Sequence, residues 1–294
     1  MRFLVLSPNM APGDRRNRLA QSTLYAFDHA VGHVERRMRP SHAAVWHLGQ
    51  NRLADAPALH SQLESLRDAH QVDIALLKQP YRWQDYSVLA MDMDSTVITI
   101  ECIDEIADFC GKKSEVAAIT EAAMRGEIQD YAESLRRRVA LLQGLDESIL
   151  QKVIRTRLKF TPGVKALVDT ARANGLHTLL VSGGFTQFTD FVAQKIGFDQ
   201  TRSNTLEIIN GRLTGRVLGR IVDASVKQQT VAAACKRLGV GIGHAITIGD
   251  GANDLKMMKP SGLSIAHRAK PAVAAQAKQS IRYGGLDNVL DWFV

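Results

Sequence analysis

The sequence predicts an α/β protein, a doubly wound parallel sheet carrying a helical cap, preceded by a small α+β unit. Three observations predict it. From about residue 86, short apolar runs recur, each ending in a polar or glycine-rich loop and separated by helical stretches, the pattern of a parallel sheet covered on both faces. Residues 1–85 read instead as strand, helix, strand, strand, helix, strand. Between the first and second apolar runs, a helical segment from about Glu101 to Leu158 is too long for a simple crossover.

Taken in order, the N-terminal elements are a strand at Phe3 to Leu6, a helix from Arg18 to Ala30, strands near His33 to Arg37 and Ala43 to Leu48, a helix from Ala58 to His70 and a strand from Val72 to Leu77. That βαββαβ order is the ferredoxin-like arrangement and resembles regulatory domains of the ACT type. No catalytic constellation stands out in it, and its histidines are scattered. The expected unit is one of association or regulation, and a surface through which a homodimer could form.

Residues 86–294 form the second expected domain. Its first run, Ser87 to Met91, ends in Asp92; the second, His177 to Val181, ends in Ser182-Gly183-Gly184; the last, His244 to Ile248, ends in Gly249-Asp250-Gly251. In a doubly wound sheet, ligands bind beyond the carboxyl ends of the strands, where all three runs carry their polar residues. The segment at about 101–158, with an arginine-rich helix from Tyr131 to Leu142, is expected to be the cap. Asn210-Gly211 inside an alternating stretch marks a two-residue hairpin.

A chain of 294 residues allows one large domain or two smaller ones, and its 45% apolar and 23% charged residues are ordinary for a globular protein. The net charge of +7 comes from scattered groups of arginines without interleaved aromatic residues, which argues against a nucleic-acid partner and fits an anionic small molecule. Three cysteines, Cys102, Cys110 and Cys235, show neither disulfide nor zinc spacing and are expected to be reduced and buried. No apolar stretch has the length of a membrane span or of a secretory signal. A cytoplasmic protein with no membrane partner is the expectation.

The chemistry lies in the carboxylates. Asp92 and Asp94 sit two apart just past a buried strand, and Asp250 and Asp254 follow another. An isolated Asp at such a place is as readily a turn or helix cap. A calcium loop starting at Asp92 is excluded, since its sixth position is Val97 and its twelfth Ile103. If the four aspartates converge, their repulsion, about 4 kcal/mol for a pair near 4 Å at an effective dielectric of about 20, requires a cation. Oxygen ligands without His or Cys favour Mg²⁺, which commonly takes one or two carboxylates together with a substrate phosphate. Ser182-Gly183-Gly184 offers a hydroxyl and unobstructed N–H groups, and Lys227 a positive charge, both of which a phosphoryl group needs.

DxD loop, serine, lysine and Gly-Asp-Gly-Ala-Asn-Asp, in this order, resemble the haloacid dehalogenase superfamily and its Rossmann-like fold. The finer resemblance is to the phosphoserine phosphatases, through Asp92-Met-Asp-Ser-Thr-Val, Glu101, Ala123-Met124-Arg-Gly, Ser134-Leu-Arg-Arg-Arg-Val, Val181-Ser-Gly-Gly-Phe, Asn204-Thr-Leu and Gly249-Asp-Gly-Ala-Asn-Asp. The resemblance covers about residues 86 to 294. It implies Mg²⁺-dependent hydrolysis of phosphoserine, the last step of serine biosynthesis, with Asp92 attacking phosphorus and Asp94 protonating the departing oxygen and later activating water. Asp92, Asp250 and the Asp94 backbone carbonyl would hold Mg²⁺, with Asp254 close behind. Ser182, Gly183 and Lys227 would bind the phosphoryl oxygens, and Asn253 would support the substrate.

By the same resemblance Glu101 would meet the substrate ammonium and Arg138 its carboxylate, with Met124 and Tyr131 walling the pocket. Read without it, Met124 fits a core position, Glu101 a helix N-terminus and Arg138 a solvated arginine. Two departures stand out: one extra residue between Met124 and Arg138, which inside a helix would bring Arg137 to the site instead, and Tyr131 where the family usually has Phe. The pair His267-Arg268 has no role in this reading. Phosphotransfer, or hydrolysis of another small phosphate ester, is the alternative activity.

Overall fold

The computed structural model describes residues 3–9, 19–32, 34–48, 57–125 and 127–294, the side chains of Pro57 and Met124 excepted. The N-terminal unit runs β1 (Phe3–Ser7), α1 (Gln21–Ala30), β2 (Arg36–Met38), β3 (Ala44–His47), α2 (Pro57–His70) and β4 (Asp73–Leu77), the expected βαββαβ order. Its sheet is antiparallel in the order β2-β3-β1-β4, with Val5 opposite both Val45 and Ala75. The first helix starts at Gln21, after the expected Arg18, a residue outside those described. The second strand starts at Arg36, after the expected His33, also outside them, because the turn between Arg39 and Ala43, closed by an Arg39 N–H bond to the Ala43 carbonyl, sets its register.

Both faces of this small sheet are apolar, and each finds cover. Leu4, Leu6, Trp46 and Ile74 pack under the two helices with Leu24, Phe27 and Leu63. Val5, Ala75 and Leu77 face the other way and join the main core beside Trp83 and Phe293. Polar ties frame that contact. Asp73 accepts the N–H groups of Arg282, Tyr283 and Gly284 at 2.7–3.0 Å, and Ser7 and Ser41 both donate to Asp291. Tyr81 pairs with Phe293, whose ring stacks on Trp83 at 3.9 Å between centroids.

The rest of the chain runs β5 (Val88–Met91), α3 (Cys102–Phe109), α4 (Lys113–Met124), α5 (Tyr131–Ala140), α6 (Ser148–Thr156), α7 (Val164–Ala173), β6 (His177–Phe185), α8 (Thr186–Ile196), β7 (Gln200–Ile209), β8 (Arg212–Leu218), α9 (Ala224–Arg237), β9 (Ala245–Gly249), α10 (Leu255–Met258), β10 (Leu263–His267), α11 (Pro271–Ala274) and β11 (Gln279–Ile281). Seven strands form one sheet in the order β11-β10-β9-β5-β6-β7-β8, parallel except for β8. Alternation divides its faces. Leu89, Met91, Leu180, Ile246 and Ile248 pack on the side of α7 and α8, and Val88, Ala90, Leu179 and Val181 on the side of α9 and α10. Strand β5 stands between β6, its successor in the sheet, and β9, reached only after the chain has crossed to the other side. That is a topological switch point, the place where such sheets bind ligands.

Helices α3 to α6 make the expected cap. Its far end is tied to the β7–β8 hairpin, where Gly144 N–H bonds the Leu213 carbonyl and Leu213 N–H bonds the Leu145 carbonyl. The hairpin turns at Asn210-Gly211, both with positive φ (51° and 74°), as a type I′ turn requires. The cysteines are free, but Cys110 is only half-buried, unlike Cys102 and Cys235, because it ends α3 at the cap surface. Among the described residues no helix is long and apolar enough to cross a membrane.

Candidate active site

Three strand ends and one helix start converge at the switch point. The Asp92 N–H is held by the Ile248 carbonyl, which fixes the start of the loop after β5 to the end of β9. Asp92 then caps a distorted turn at 93–97, its Oδ1 accepting the Met93 N–H at 2.7 Å. Within that turn Asp94 is extended and Ser95 left-handed, with φ 56°. The kink sends the two carboxylates in different directions.

The Asp92 carboxylate joins Asp250 and Asp254, with one oxygen from each within 4.8 Å of the others. Lys227, fully buried in the first turn of α9, bridges Asp92 Oδ1 at 2.8 Å and Asp254 Oδ1 at 2.7 Å. Burial works against the ammonium, but the Asp254 and Asp92 charges outweigh it and keep it protonated. One ammonium does not balance three carboxylates. Burial and the Asp254 charge push the Asp92 carboxyl well up, and the same two causes push Asp250 up to about 6. A compact, buried all-oxygen cluster with excess negative charge fits a hard divalent cation such as Mg²⁺.

Asp94 stands outside the cluster. Its Oδ2 lies 2.8 Å from where a Cβ on Gly184 would sit, so its carboxyl faces the glycine loop. Burial first, then the Glu101 charge, push it up to about 8. It is therefore a carboxylic acid at neutral pH, as an acid for the leaving group must be.

The glycine loop is a break in the β6–β7 pairing: Val181 opposes Arg202 and Phe185 opposes Asn204, so the residues between bulge outward. Ser182 Oγ accepts the Gly184 N–H at 2.8 Å, which leaves its own proton to donate. Gly183 has no room for a side chain, because a Cβ there would lie 2.2 Å from the Tyr131 hydroxyl. The first residue of α5 thus reaches down from the cap onto the glycine loop.

Above the loop, the cap brings its polar residues inward. Ser95 Oγ donates to Glu101 Oε1 at 2.7 Å, and Glu101 remains open to solvent on its other side. Helix α5 starts at Tyr131, capped by Asp130, just after the Gln129-Asp130 segment. Arg138 is half-buried and its charge acts on Glu101, Asp104 and Tyr131, whereas Arg137 is exposed and paired with Glu133. The Met124 side chain lies outside the described residues. Asn253 sits in the turn between Asp250 and Asp254, folded over Gly251.

Two positioning residues were not assigned from sequence. Thr96, fully buried, donates to Asp250 Oδ1 at 2.9 Å and so locks two of the acidic loops together. Asn204, also buried, donates to the Gly183 carbonyl at 2.7 Å and accepts the Val222 N–H at 2.8 Å, joining the glycine bulge to the segment that leads into α9. The available signal was a polar residue at an otherwise apolar buried position.

A sheet with this switch point, an acidic cluster on it and a helical cap above defines a class of hydrolase. Residues 89–259 match the model of the haloacid dehalogenase-like hydrolase family, to which the chain belongs. Within that family its similarity is to phosphoserine phosphatases. The one from Albidiferax ferrireducens is 55% identical over 218 residues, which cover 73% of this chain and 92% of that protein. A solved structure of a probable phosphoserine phosphatase from Vibrio cholerae, in unliganded form, superposes with a TM-score of 0.80 at 34% identity, covering 99% of this chain and 85% of that one. A solved phospho-aspartyl intermediate analogue of phosphoserine phosphatase superposes with a TM-score of 0.66 at 33% identity, covering 71% of this chain and 99% of that one.

Proposed function

We propose that the protein hydrolyses O-phospho-L-serine to L-serine and phosphate through a phosphorylated Asp92, as the final step in making serine. The observation that carries this reading is the divergence of two carboxyls on one loop. Asp92 is clamped by Lys227 and the Met93 N–H within the acidic cluster, while Asp94 is turned away toward the glycine loop and held protonated.

In the first step an Asp92 oxygen attacks phosphorus in line with the serine oxygen. The P–O bond to serine breaks as the bond to Asp92 forms, and Asp94 delivers its proton to the departing oxygen. The Ser182 hydroxyl, the Gly183 N–H and the Lys227 ammonium take the charge on the phosphoryl oxygens. In the second step Asp94, now a carboxylate, takes a proton from water, whose oxygen displaces Asp92. Asp92, Asp250 and Asp254, with the Asp94 carbonyl, would hold Mg²⁺, which supplies charge neutralisation between the nucleophile and the phosphate. Glu101 and Arg138 would read the ammonium and carboxylate of serine, the guanidinium as a bidentate partner. Tyr131 closes the pocket over the phosphate. The names of the relatives support the substrate.

Phosphate release from L-phosphoserine, with and without Mg²⁺, tests the reading. Turnover should require the metal and should exceed that of phosphate esters lacking either the ammonium or the carboxylate. Equal rates across such a panel, or full activity in a chelator, would overturn it.

A further inference from the structure

Tyr131 opens α5 on the underside of the cap and meets the glycine loop with its tip: a Cβ on Gly183 would lie 2.2 Å from the hydroxyl oxygen and 3.4 Å from Cζ. A phenylalanine, the usual residue here in the phosphatases that the sequence resembles, would wall the pocket equally well. Packing therefore does not account for the oxygen. The protein's own hydrogen bonding does not account for it either, since among the described residues the hydroxyl has no hydrogen-bond partner. The acceptors of the loop beneath it are engaged elsewhere: the Gly183 carbonyl takes the Asn204 side-chain N–H at 2.7 Å, and Ser182 Oγ takes the Gly184 N–H at 2.8 Å.

Burial raises the phenol above its ordinary pKa, against the nearby Lys227 and Arg138 charges, so the hydroxyl keeps its proton and is a donor. A donor without an acceptor in a half-buried site is costly unless an acceptor arrives with the ligand. The substrate brings two anionic groups, and position chooses between them. Arg138, read above as the partner of the carboxylate, is seven residues further along α5, about 10 Å of helix rise. Gly183, read above as an N–H donor to the phosphoryl group, lies directly beneath the hydroxyl.

We propose that the Tyr131 hydroxyl is a further donor to the phosphoryl oxygens, supplied by the cap, beside Ser182, Gly183 and Lys227, which come from the sheet and the start of α9. This rests on the reading of the glycine loop as the phosphate site. The hydroxyl gives the cap a hold on the phosphate end of the ligand that does not depend on serine.

The test uses inorganic phosphate and L-serine as separate probes of the two ends, titrated calorimetrically into the full-length protein with Mg²⁺. Tyr131→Phe fills the same space and removes one oxygen. It should raise the Kd of phosphate about tenfold, as expected for a hydrogen bond to a charged group, and leave that of L-serine unchanged. An unchanged phosphate Kd would make the ring a wall only and overturn the proposal. Weaker binding of L-serine alone would give the hydroxyl to the carboxylate, and equal weakening of both would mark a displaced cap; either result would also overturn it. Ser182→Ala separates this failure from that of the underlying reading. If neither substitution weakens phosphate, the glycine loop is not the phosphate site, whereas weakening by Ser182→Ala without weakening by Tyr131→Phe condemns only the role of Tyr131.

Discussion

Asp92 and Asp94 share one short loop and burial raises both carboxyls, yet the proposed reaction needs them in opposite protonation states. In the proposed reaction Asp92 works as a carboxylate once a cation offsets its neighbours, and Asp94 as an acid, its carboxyl raised to about 8 by burial and the Glu101 charge. Asp94→Asn should therefore lower kcat for L-phosphoserine by about 10²–10⁴-fold. With p-nitrophenyl phosphate, whose leaving group needs no proton, the phosphorylation step should be far less affected in a rapid-mixing measurement. The cluster makes a pH prediction as well. Asp250 is raised to about 6 in the metal-free protein, so below that pH a proton competes with the metal for it, and above it the carboxylate is open for ligation. Saturating Mg²⁺ should raise Tm by roughly 5 °C at pH 7.5, on the scale of a ligand at about 100 times its Kd, and by clearly less at pH 5. An equal shift at both would contradict metal binding to these carboxylates. The four aspartates were legible because polar residues after buried strands announce a site, and Lys227, in the first turn of α9, only in combination with them. Thr96 and Asn204 were not, since their hydrogen bonds cross between loops distant in sequence.

Among the elements, α5 is the one that brings both Tyr131 and Arg138 to the glycine loop side of the cap. Tyr131 in its first turn touches the glycine loop, and Arg138, two turns on, is half-buried on the same side. Arg137 belongs to the outer surface, where an i,i+4 partner takes it. Arg138→Ala should raise the KM for L-phosphoserine by about 10–100-fold, the range of a charge-assisted hydrogen bond, and change that for phosphoethanolamine, which lacks the carboxylate, only slightly. Arg137→Ala should do neither. Equal losses on both substrates in Arg138→Ala would indicate a structural role instead. The sequence alone left these two arginines open, because neighbours in a helix differ only in the face they take, which the half-buried Arg138 and the exposed, Glu133-paired Arg137 then show. The hairpin at Asn210-Gly211 was readable, but its second duty, bracing the far end of the cap, was not, since it rests on backbone bonds at Gly144 and Leu145.

The molecule as a whole joins a βαββαβ unit to a capped phosphatase sheet, and the small unit is docked. Phe3-Leu4-Val5-Leu6 is apolar on both faces, a pattern that already calls for cover on two sides. What the sequence left open was the partner, which is the segment at the C-terminus around Trp292 and Phe293. The relatives matched over nearly their whole length by about three quarters of this chain support the view that the chemistry needs only the larger part. A protein starting at Pro80 should keep turnover, with lower stability from the exposed patch under Val5, Ala75 and Leu77. One starting at Tyr86 also loses Tyr81 and Trp83, which hold Phe293, and should have a Tm lower by several degrees, as expected when a buried aromatic cluster worth about 3–5 kcal/mol is removed. Equal melting of the two would show that the Tyr81–Trp83 segment contributes nothing to the larger part.

The phosphorylated Asp92 remains the central claim. Enzyme turning over L-phosphoserine with Mg²⁺, quenched in acid and mapped by mass spectrometry, should carry one phosphoryl group on the peptide that contains Asp92, at that residue, and Asp92→Asn protein treated alike should carry none and release no phosphate. A phosphoryl group on any other residue, or steady phosphate release by the Asn variant, would contradict the account.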